Sequence, residues 1–446
     1  MFLALVMLAT EPTATEEPLP KLNHQRESQV PLSDIKDSQS APQIASGHVS
    51  LGLSILNLLK NIIGTSMISM SFGIACSGVM PSIFICILFA VLSGYTFGLL
   101  GILCGEARVD SYRKLCEKYI GQRVGVWIDV LMALYTLPAC IAYSIFVCDC
   151  MRKMLVDMIP YAADEFYTSR AFIGLVLTVG VLLPLCSLSK LDSLTYTSLL
   201  GIGAIIYCYI FVAIDLSKNA DTVNATQTVM DALWWPPSGS VLGLFPMANI
   251  WAACYLVQYN SPKFYQEMKN PTKKRFFTLS FSTNAIVAVF CGSFAIMGFA
   301  RFGLGTPDNL LIGYDKVYPE WIATCVSLIT TYPFVFDAGR RSLMSALEGH
   351  EFWTPRRIFW TSTFVLIPTF SIIAIFVDSL SLVVGINGSL LGMTVGFSLP
   401  GYLLVKREQI KKRPRGVLIG WIIVVFGILM SILGMLSIFI HVRPTG

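Results

Sequence analysis

The sequence predicts an all-α membrane protein with 11 transmembrane helices. Of its 446 residues, 54 % are hydrophobic and only 13 % are charged, whereas a soluble domain carries about a quarter charged residues. The apolar residues form separate runs of about 20 residues or more, long enough for a helix to cross a ~30 Å hydrocarbon core. Basic residues fall in the short loops between these runs, so the net charge of +5 reflects membrane topology and not nucleic-acid binding.

The predicted spans follow a polar tail. Residues 1–48 are rich in Ser, Pro, Glu and Gln after a short apolar start, which predicts a disordered cytoplasmic tail with Met1 or Met7 as its first residue. The membrane domain covers 49–440. Its spans are predicted at 51–76, 79–104, 123–150, 169–189, 193–216, 242–268, 276–301, 318–345, 357–377, 379–405 and 416–440. The charged segment 104–121 is amphipathic and predicts an interfacial helix or loop.

The distribution of Lys and Arg predicts the orientation. With the N-terminus in the cytoplasm, the inner loops hold 21 basic residues and the outer side holds 7, which is the asymmetry expected of a cytoplasmic N-terminus. The sequon that begins at Asn224 then lies in an outer loop and is a predicted glycosylation site. The sequon at Asn387 lies within a span and is not expected to be used.

The first ten predicted spans can be divided into two repeats of five. Spans one to five (49–216) and six to ten (242–405) form two repeats of opposite membrane orientation, followed by an extra helix at 416–440. Inverted repeats of this kind place a substrate site where the first helix of each half is interrupted.

Lys60 lies about nine residues inside the first span, so a helix rise of ~1.5 Å per residue places it roughly 14 Å deep. A charged ammonium at that depth costs at least a few kcal/mol unless it faces a polar cavity or reaches the interface. Asn57, Lys60 and Gly64 share one helix face, and Gly64, Thr65 and Ser66 weaken the helix. Two interpretations remain: a polar face leading into a substrate site, or a side chain that extends to the near interface.

The interruption of span six is signalled more weakly. Pro262 removes a backbone donor and bends the chain before it, and the small pair Ala252-Ala253 marks either a break or an ordinary helix crossing. The polar residues that accompany them are Asn249, Gln258 and Asn260.

Carboxylates near the ends of spans are expected to be solvated or ion-paired: Asp215, Glu267, Asp337 and Asp378. Asp337 is expected to pair with Arg340 or Arg341, about one helical turn further on.

Four segments carry a family resemblance. They are LLKNIIGTSMISMSFGIACSG in span one, NSPKFYQEMKNPTKKRF after span six, TTYPFVFDAGRRSL in span eight and VVGINGSLLGMTVGFSLPGYLLVK in span ten. Together they resemble the amino acid/auxin permeases of the amino acid–polyamine–organocation superfamily, over about residues 50 to 440. The resemblance implies a LeuT-like 5+5 inverted repeat with broken helices 1 and 6, and secondary active transport of amino acids by alternating access.

The same resemblance implies a substrate site. The substrate carboxylate would meet backbone N–H groups at the positive end of the outer half-helix, and its ammonium would meet the break in span six. The implied substrate-binding residues are Ile63, Gly64, Thr65, Ser66, Ala252, Ala253, Cys254 and Tyr255. Tyr135 in span three is expected either at the pocket wall or in ordinary packing.

One sequence difference from the sodium-coupled relatives bears on which ion drives transport. The sodium-coupled relatives carry Asn as a sodium ligand four residues before the helix-breaking glycine, where this chain has Lys60, as proton-coupled relatives do. Because like charges repel at short range, we predict sodium-independent transport, with proton coupling, facilitation and exchange left open. Asn57, Lys60, Thr330 and Thr331 would replace the ion site; the threonines have the alternative role of bonding to carbonyls of their own helix near Pro333.

Other functions are weaker candidates. An amino-acid-binding nutrient sensor that signals through the N-terminal tail is the main alternative. The sequence contains no nucleophile–base–acid set, nucleotide loop or metal-ligand array, so we expect no enzyme activity, cofactor or metal. The expected partners are an amino acid, protons and the lipid bilayer, in the plasma membrane or a vacuolar or lysosomal membrane.

Overall fold

The computed structural model is helical almost throughout. It describes residues 47–64, 66–159, 165–187, 195–234, 239–315, 318–347, 352–377 and 379–441, so most of the predicted tail, Thr65 and Asp378 lie outside it. The helices are α1 Leu51–Ile62, α2 Ser66–Ser77, α3 Val79–Ala107, α4 Tyr112–Tyr119, α5 Gln122–Met158, α6 Arg170–Cys186, α7 Thr195–Asn219, α8 Ala225–Asp231, α9 Leu244–Cys254, α10 Ser261–Glu267, α11 Lys273–Phe302, α12 Tyr318–Ala346, α13 Pro355–Phe376, α14 Leu380–Ile410 and α15 Pro414–His441.

The membrane spans match the predicted order. Within the described residues, 9 helices are long and apolar enough to cross a bilayer, and the bent pair α1–α2 makes a tenth span. Helix α6 corresponds to the fourth predicted span but is shorter, and that prediction runs to residue 189, beyond the described stretch. The all-helical membrane architecture is confirmed, and the count of eleven spans stays a prediction.

The first span is broken at the predicted place. Helix α1 begins after Ser50, whose hydroxyl accepts a hydrogen bond from Leu53 N at 3.4 Å. It ends at Ile63, which has extended backbone angles (φ −77°, ψ 108°). Helix α2 then starts at Ser66 and is inclined by 62° to α1. The chain between them contains Gly64, whose missing side chain lowers the cost of leaving the helix.

The second break lies between α9 and α10. The chain leaves α9 after Cys254 and makes a single 3₁₀ turn, Gln258–Asn260, before α10. Gln258 is fully buried: its side-chain oxygen accepts from Val257 N at 3.0 Å, and its amide donates to Ser93 Oγ on α3 at 3.0 Å. A buried backbone N–H must find a partner, so α3 and Gln258 stabilise the unwound chain.

The position of this break differs from the expectation. Ala252 and Ala253 are still helical, and Pro262 occupies the first turn of α10, where a missing N–H costs little. The break therefore lies between the small pair and the proline, at residues whose partners come from α3.

Span ten packs closely on α9, the first half of span six. A β-carbon at Gly388 of α14 would lie 1.9 Å from the Asn249 carbonyl oxygen of α9, so the two backbones are in direct contact. The stretch Asn387–Gly392 is π-helical, a local widening that often occurs at functional sites. Helix α9 also packs on α2, so these two half-helices are in direct contact.

The half-helices α1 and α10 are tied to each other. Ahead of α1, Val49 N donates to Glu267 O at 2.9 Å and Lys269 N donates to Val49 O at 2.9 Å, which forms an isolated parallel β-bridge to Met268. The Asn260 amide just before α10 donates to Asn61 Oδ1 in the last turn of α1 at 3.3 Å. Helices α1 and α10 are thus joined at both ends of their contact.

Helix α4 is the predicted interfacial element. Its Arg113 donates to Asp129 Oδ2 on α5 at 2.6 Å, to the Ser345 carbonyl on α12 at 2.8 Å and to Glu117 at 2.7 Å. One guanidinium therefore connects the ends of spans three and eight.

The expected pairing of Asp337 is confirmed for both candidates. Its carboxylate lies 2.5 Å from the Arg340 guanidinium and 3.1 Å from that of Arg341. Asp215 is also ion-paired, to Arg301 of α11 at 2.7 Å. These carboxylates support helix contacts near the ends of spans, as expected.

Candidate functional site

A cavity of about 340 Å³ lies between α1, α10 and the long helices α5, α7 and α12. Of the predicted site residues, those that line it are Asn57, Lys60, Ile63, Gly64, Tyr135 and Thr331. The cavity extends from the break in the first span toward Lys263 and Glu267 at the end of α10. Its volume is in the range of small-molecule sites.

Lys60 contributes to this cavity from the last turn of α1. Its side chain is half-buried, and Nζ lies 5.4 Å from the centroid of the Phe334 ring on α12, within the range of a cation–π interaction. Phe334 and Thr331 line the same cavity. The ammonium therefore faces span eight across the cavity, which favours the polar-cavity interpretation over extension to the interface.

The two threonines of span eight bond to their own helix. Thr330 Oγ1 donates to Val326 O at 2.9 Å, and Thr331 Oγ1 donates to Ser327 O at 2.7 Å. Thr331 borders the cavity, whereas Thr330 does not. The alternative role predicted for these residues is thus present at both.

A smaller pocket of about 60 Å³ lies between the two breaks. Its walls include Gly64 and Ser66 from span one, Ala253 and Cys254 from span six, Tyr135 from α5, and Val383, Val384 and Asn387 from α14. Gly64 and Tyr135 border both spaces, so the pocket adjoins the larger cavity. Residues at the ends of α1, α2 and α9 contribute to its walls, and the terminal backbone groups of a helix lack intrahelical partners.

Tyr135 combines both roles considered for it. Its hydroxyl donates to the Leu256 carbonyl in the second break at 3.0 Å, and its ring centroid lies 5.5 Å from that of Tyr259. It also borders both spaces. The Leu256 carbonyl in the span-six break therefore already accepts a hydrogen bond from a protein side chain.

Two predicted substrate contacts border neither space. The Ala252 carbonyl faces α14, where a β-carbon at Gly392 would lie 3.2 Å from it. The Tyr255 hydroxyl donates to Asn284 O at 3.2 Å, and its ring stacks on Trp251 with centroids 5.2 Å apart. Ala252 lies in the last turn of α9 and packs on α14, and Tyr255, the first residue after α9, directs its side chain toward α11.

Two further residues of the site were missed from the sequence. Tyr143 borders both spaces, and its hydroxyl would lie 3.5 Å from a β-carbon at Gly64. Tyr135, Ala139 and Tyr143 are spaced by four residues and all line the cavity, so helical periodicity was an available signal. Asn387 borders the smaller pocket, and the signal there was a polar residue within an apolar span.

The end of the cavity near α10 carries charges of both signs. Lys263 and Glu267 lie one turn apart with their charged atoms separated by 3.8 Å, so Glu267 is ion-paired, one of the two states expected of it. Arg341 lines the same region. Both members of the Lys263–Glu267 pair are largely solvent-accessible, so the pair contributes little to stability.

The helices and breaks define a polytopic transporter fold. Mhp1, a nucleobase-cation-symport-1 family transporter solved with bromovinylhydantoin bound, superimposes with a TM-score of 0.55 over 89 % of this chain and 94 % of its own, at 10 % identity. At that identity the likeness shows the fold alone. The predicted LeuT-like inverted repeat with broken helices 1 and 6 is confirmed.

Residues 47–441 match the family described as transmembrane amino acid transporter protein, and the chain belongs to this family. It is 24 % identical over 400 residues to "Putative sodium-coupled neutral amino acid transporter 11" of Danio rerio, covering 87 % of this chain and 86 % of the relative. It is 21 % identical over 402 residues to "Amino acid transporter AVT6E" of Arabidopsis thaliana, covering 85 % and 81 %. The family resemblance seen in the motifs is confirmed: this is a multi-pass integral membrane protein of amino acid transport and not an enzyme.

Proposed function

We propose that the protein is a secondary active transporter that moves amino acids by alternating access and does not bind sodium beside Lys60. The observation that carries this proposal is the position of Lys60, whose side chain lines the cavity next to the first break and reaches toward α12. A fixed cation in that place takes over the charge that a bound ion would supply.

Electrostatics supports the exclusion of sodium. Two unit positive charges ~4 Å apart repel by about 4 kcal/mol at an effective dielectric constant of ~20, which weakens sodium binding by roughly a thousandfold. The Danio rerio relative has a name that states sodium coupling, and the proposal for this chain rests on its own lysine.

The proton is the coupling ion in this proposal. Lys60 would take up and release it as the cavity changes sides, in the plasma membrane or in the membrane of an acidic vacuole or lysosome. With the N-terminus in the cytoplasm, the cavity beside Lys263 and Glu267 opens inward, and the exposed Asn224 lies on the opposite side.

Uptake into proteoliposomes tests the proposal. The purified protein is reconstituted, and counterflow of the twenty amino acids is measured under an imposed sodium gradient, an imposed proton gradient or neither. We expect uptake that responds to the proton gradient and is indifferent to sodium, and loss of the proton response in Lys60→Ala. Sodium-dependent uptake that survives Lys60→Ala would refute the role given to this lysine.

One backbone contact at the end of the tail supports the sensor alternative. Val49, which directly follows the predicted tail, is hydrogen-bonded to Glu267 and Lys269 at the end of α10, and Glu267 lines the cavity. Amino-acid binding without measurable counterflow, together with a partner captured by residues 1–48, would favour the sensor over the transporter.

A further inference from the structure

Asn387 carries a buried amide oxygen in span ten. It lies on α14 with 6 % of its surface exposed, and its Oδ1 has no hydrogen-bond partner among the described residues. A buried oxygen without a donor destabilises the fold, and native proteins keep few of them. Because Asn387 borders the pocket between the two breaks, a ligand in that pocket is placed to supply the missing donor.

The local backbone holds Asn387 in this position. The next residue, Gly388, is in backbone contact with Asn249 of α9, and the π-helical stretch Asn387–Gly392 starts at Asn387 itself. Because α14 cannot shift here without separating from α9, the backbone of Asn387 is held beside the pocket that the residue lines.

The rest of the pocket indicates which part of the ligand Asn387 meets. Gly64, Ser66 and Ala253 bring the two helix breaks to one side, where backbone groups are suited to the carboxylate and ammonium of an amino acid. Val383 and Asn387 of α14 form another wall. A main chain bound at the breaks leaves its side chain facing α14, in a space of only about 60 Å³.

We propose that Asn387 is a specificity-determining residue that accepts a hydrogen bond from the substrate side chain. The substrate class is then small amino acids whose side chain carries a donor, such as serine, threonine and asparagine, in preference to alanine and valine. This inference rests on the proposed transport function and adds the side-chain chemistry that the pocket selects.

Matched competitors test the proposal. In proteoliposomes, uptake of labelled serine is competed with unlabelled serine against alanine and threonine against valine, because each pair differs chiefly by a hydroxyl. We expect the hydroxyl-bearing member to compete about threefold to tenfold better, the effect of one hydrogen bond. In Asn387→Leu, tested with labelled alanine, both ratios fall to about one while alanine uptake persists.

The control is Asn284→Leu. Asn284 on α11 is also buried with an unpartnered Oδ1, but it borders neither space, so its variant should keep the wild-type ratios even if the total rate falls. Each ratio is measured within one variant and is independent of the amount of protein inserted. If Asn387→Leu fails to fold, Asn387→Ala removes the acceptor without adding bulk and is measured in the same way.

The possible outcomes distinguish the role of Asn387 from the proposed transport function. Wild-type ratios near one, or ratios unchanged in the Asn387 variant that folds, overturn the role of Asn387 and leave transport standing. Failure of the wild-type protein to take up any amino acid overturns the proposed function itself.

Discussion

Replacing Gly388 by alanine is expected to force α14 away from α9. The new β-carbon would lie 1.9 Å from the Asn249 carbonyl oxygen and 3.1 Å from Ala253 N. Both are backbone atoms, so no side-chain rotation relieves the overlap, and the helices must separate by about 1.1 Å to bring the shorter distance to 3.0 Å. Overpacking costs about 1–3 kcal/mol, and we expect a value near 3 kcal/mol because both partners belong to packed helices.

Thermal unfolding of the purified protein measures this effect. A loss of about 3 kcal/mol lowers the folded-to-unfolded ratio by roughly a hundredfold and should reduce the apparent midpoint by several degrees. The matched control is Gly203→Ala on α7, where a β-carbon meets nothing within 4 Å; it should be neutral or slightly stabilising. Equal midpoints for the two variants would refute the backbone contact.

Three further changes have defined outcomes. Arg113→Ala removes the guanidinium from the buried Asp129, and since Arg113 is 24 % exposed we expect a loss of about 1–3 kcal/mol in the same unfolding assay, whereas an unchanged midpoint would show that the tie is unimportant. Gln258→Leu removes the bonds to Val257 N and Ser93 Oγ and should slow counterflow as well as lower the midpoint; wild-type behaviour in both assays would contradict its role at the break. Asn224→Gln should abolish the electrophoretic shift caused by glycosidase treatment, and a shift that persists would exclude Asn224 as the site.

Local patterns accounted for much of this molecule. The spans follow from the length of apolar runs, because a helix that crosses the bilayer must satisfy its backbone internally. The break at Gly64 follows from a residue that weakens any helix, and the pairing of Asp337 with Arg340 and Arg341 follows from helical spacing. Each of these features depends on residues close together in the chain.

The features that were missed depend on distant partners. The second break is stabilised by Gln258, whose bond to Ser93 joins positions 165 residues apart, so the local signals at the alanine pair and Pro262 bracketed the break without locating it. The side chain of Tyr255 packs against Trp251 and bonds to Asn284, and its predicted ligand role stays a prediction. Asn387 gains its meaning only when α14 is placed against both breaks, which no local pattern specifies.

The bridge between Val49 and Met268 has a mechanical consequence. Two backbone hydrogen bonds there, together with the Asn260–Asn61 contact, join α1 and α10 so that we expect them to move as one unit. A force that swings one of them is carried to the other and, through the few residues after Met268, to the start of α11. A force applied to the N-terminal segment would therefore act on α1, α10 and α11 together. It would act at the ends of α1 and α10 that lie farthest from the two breaks.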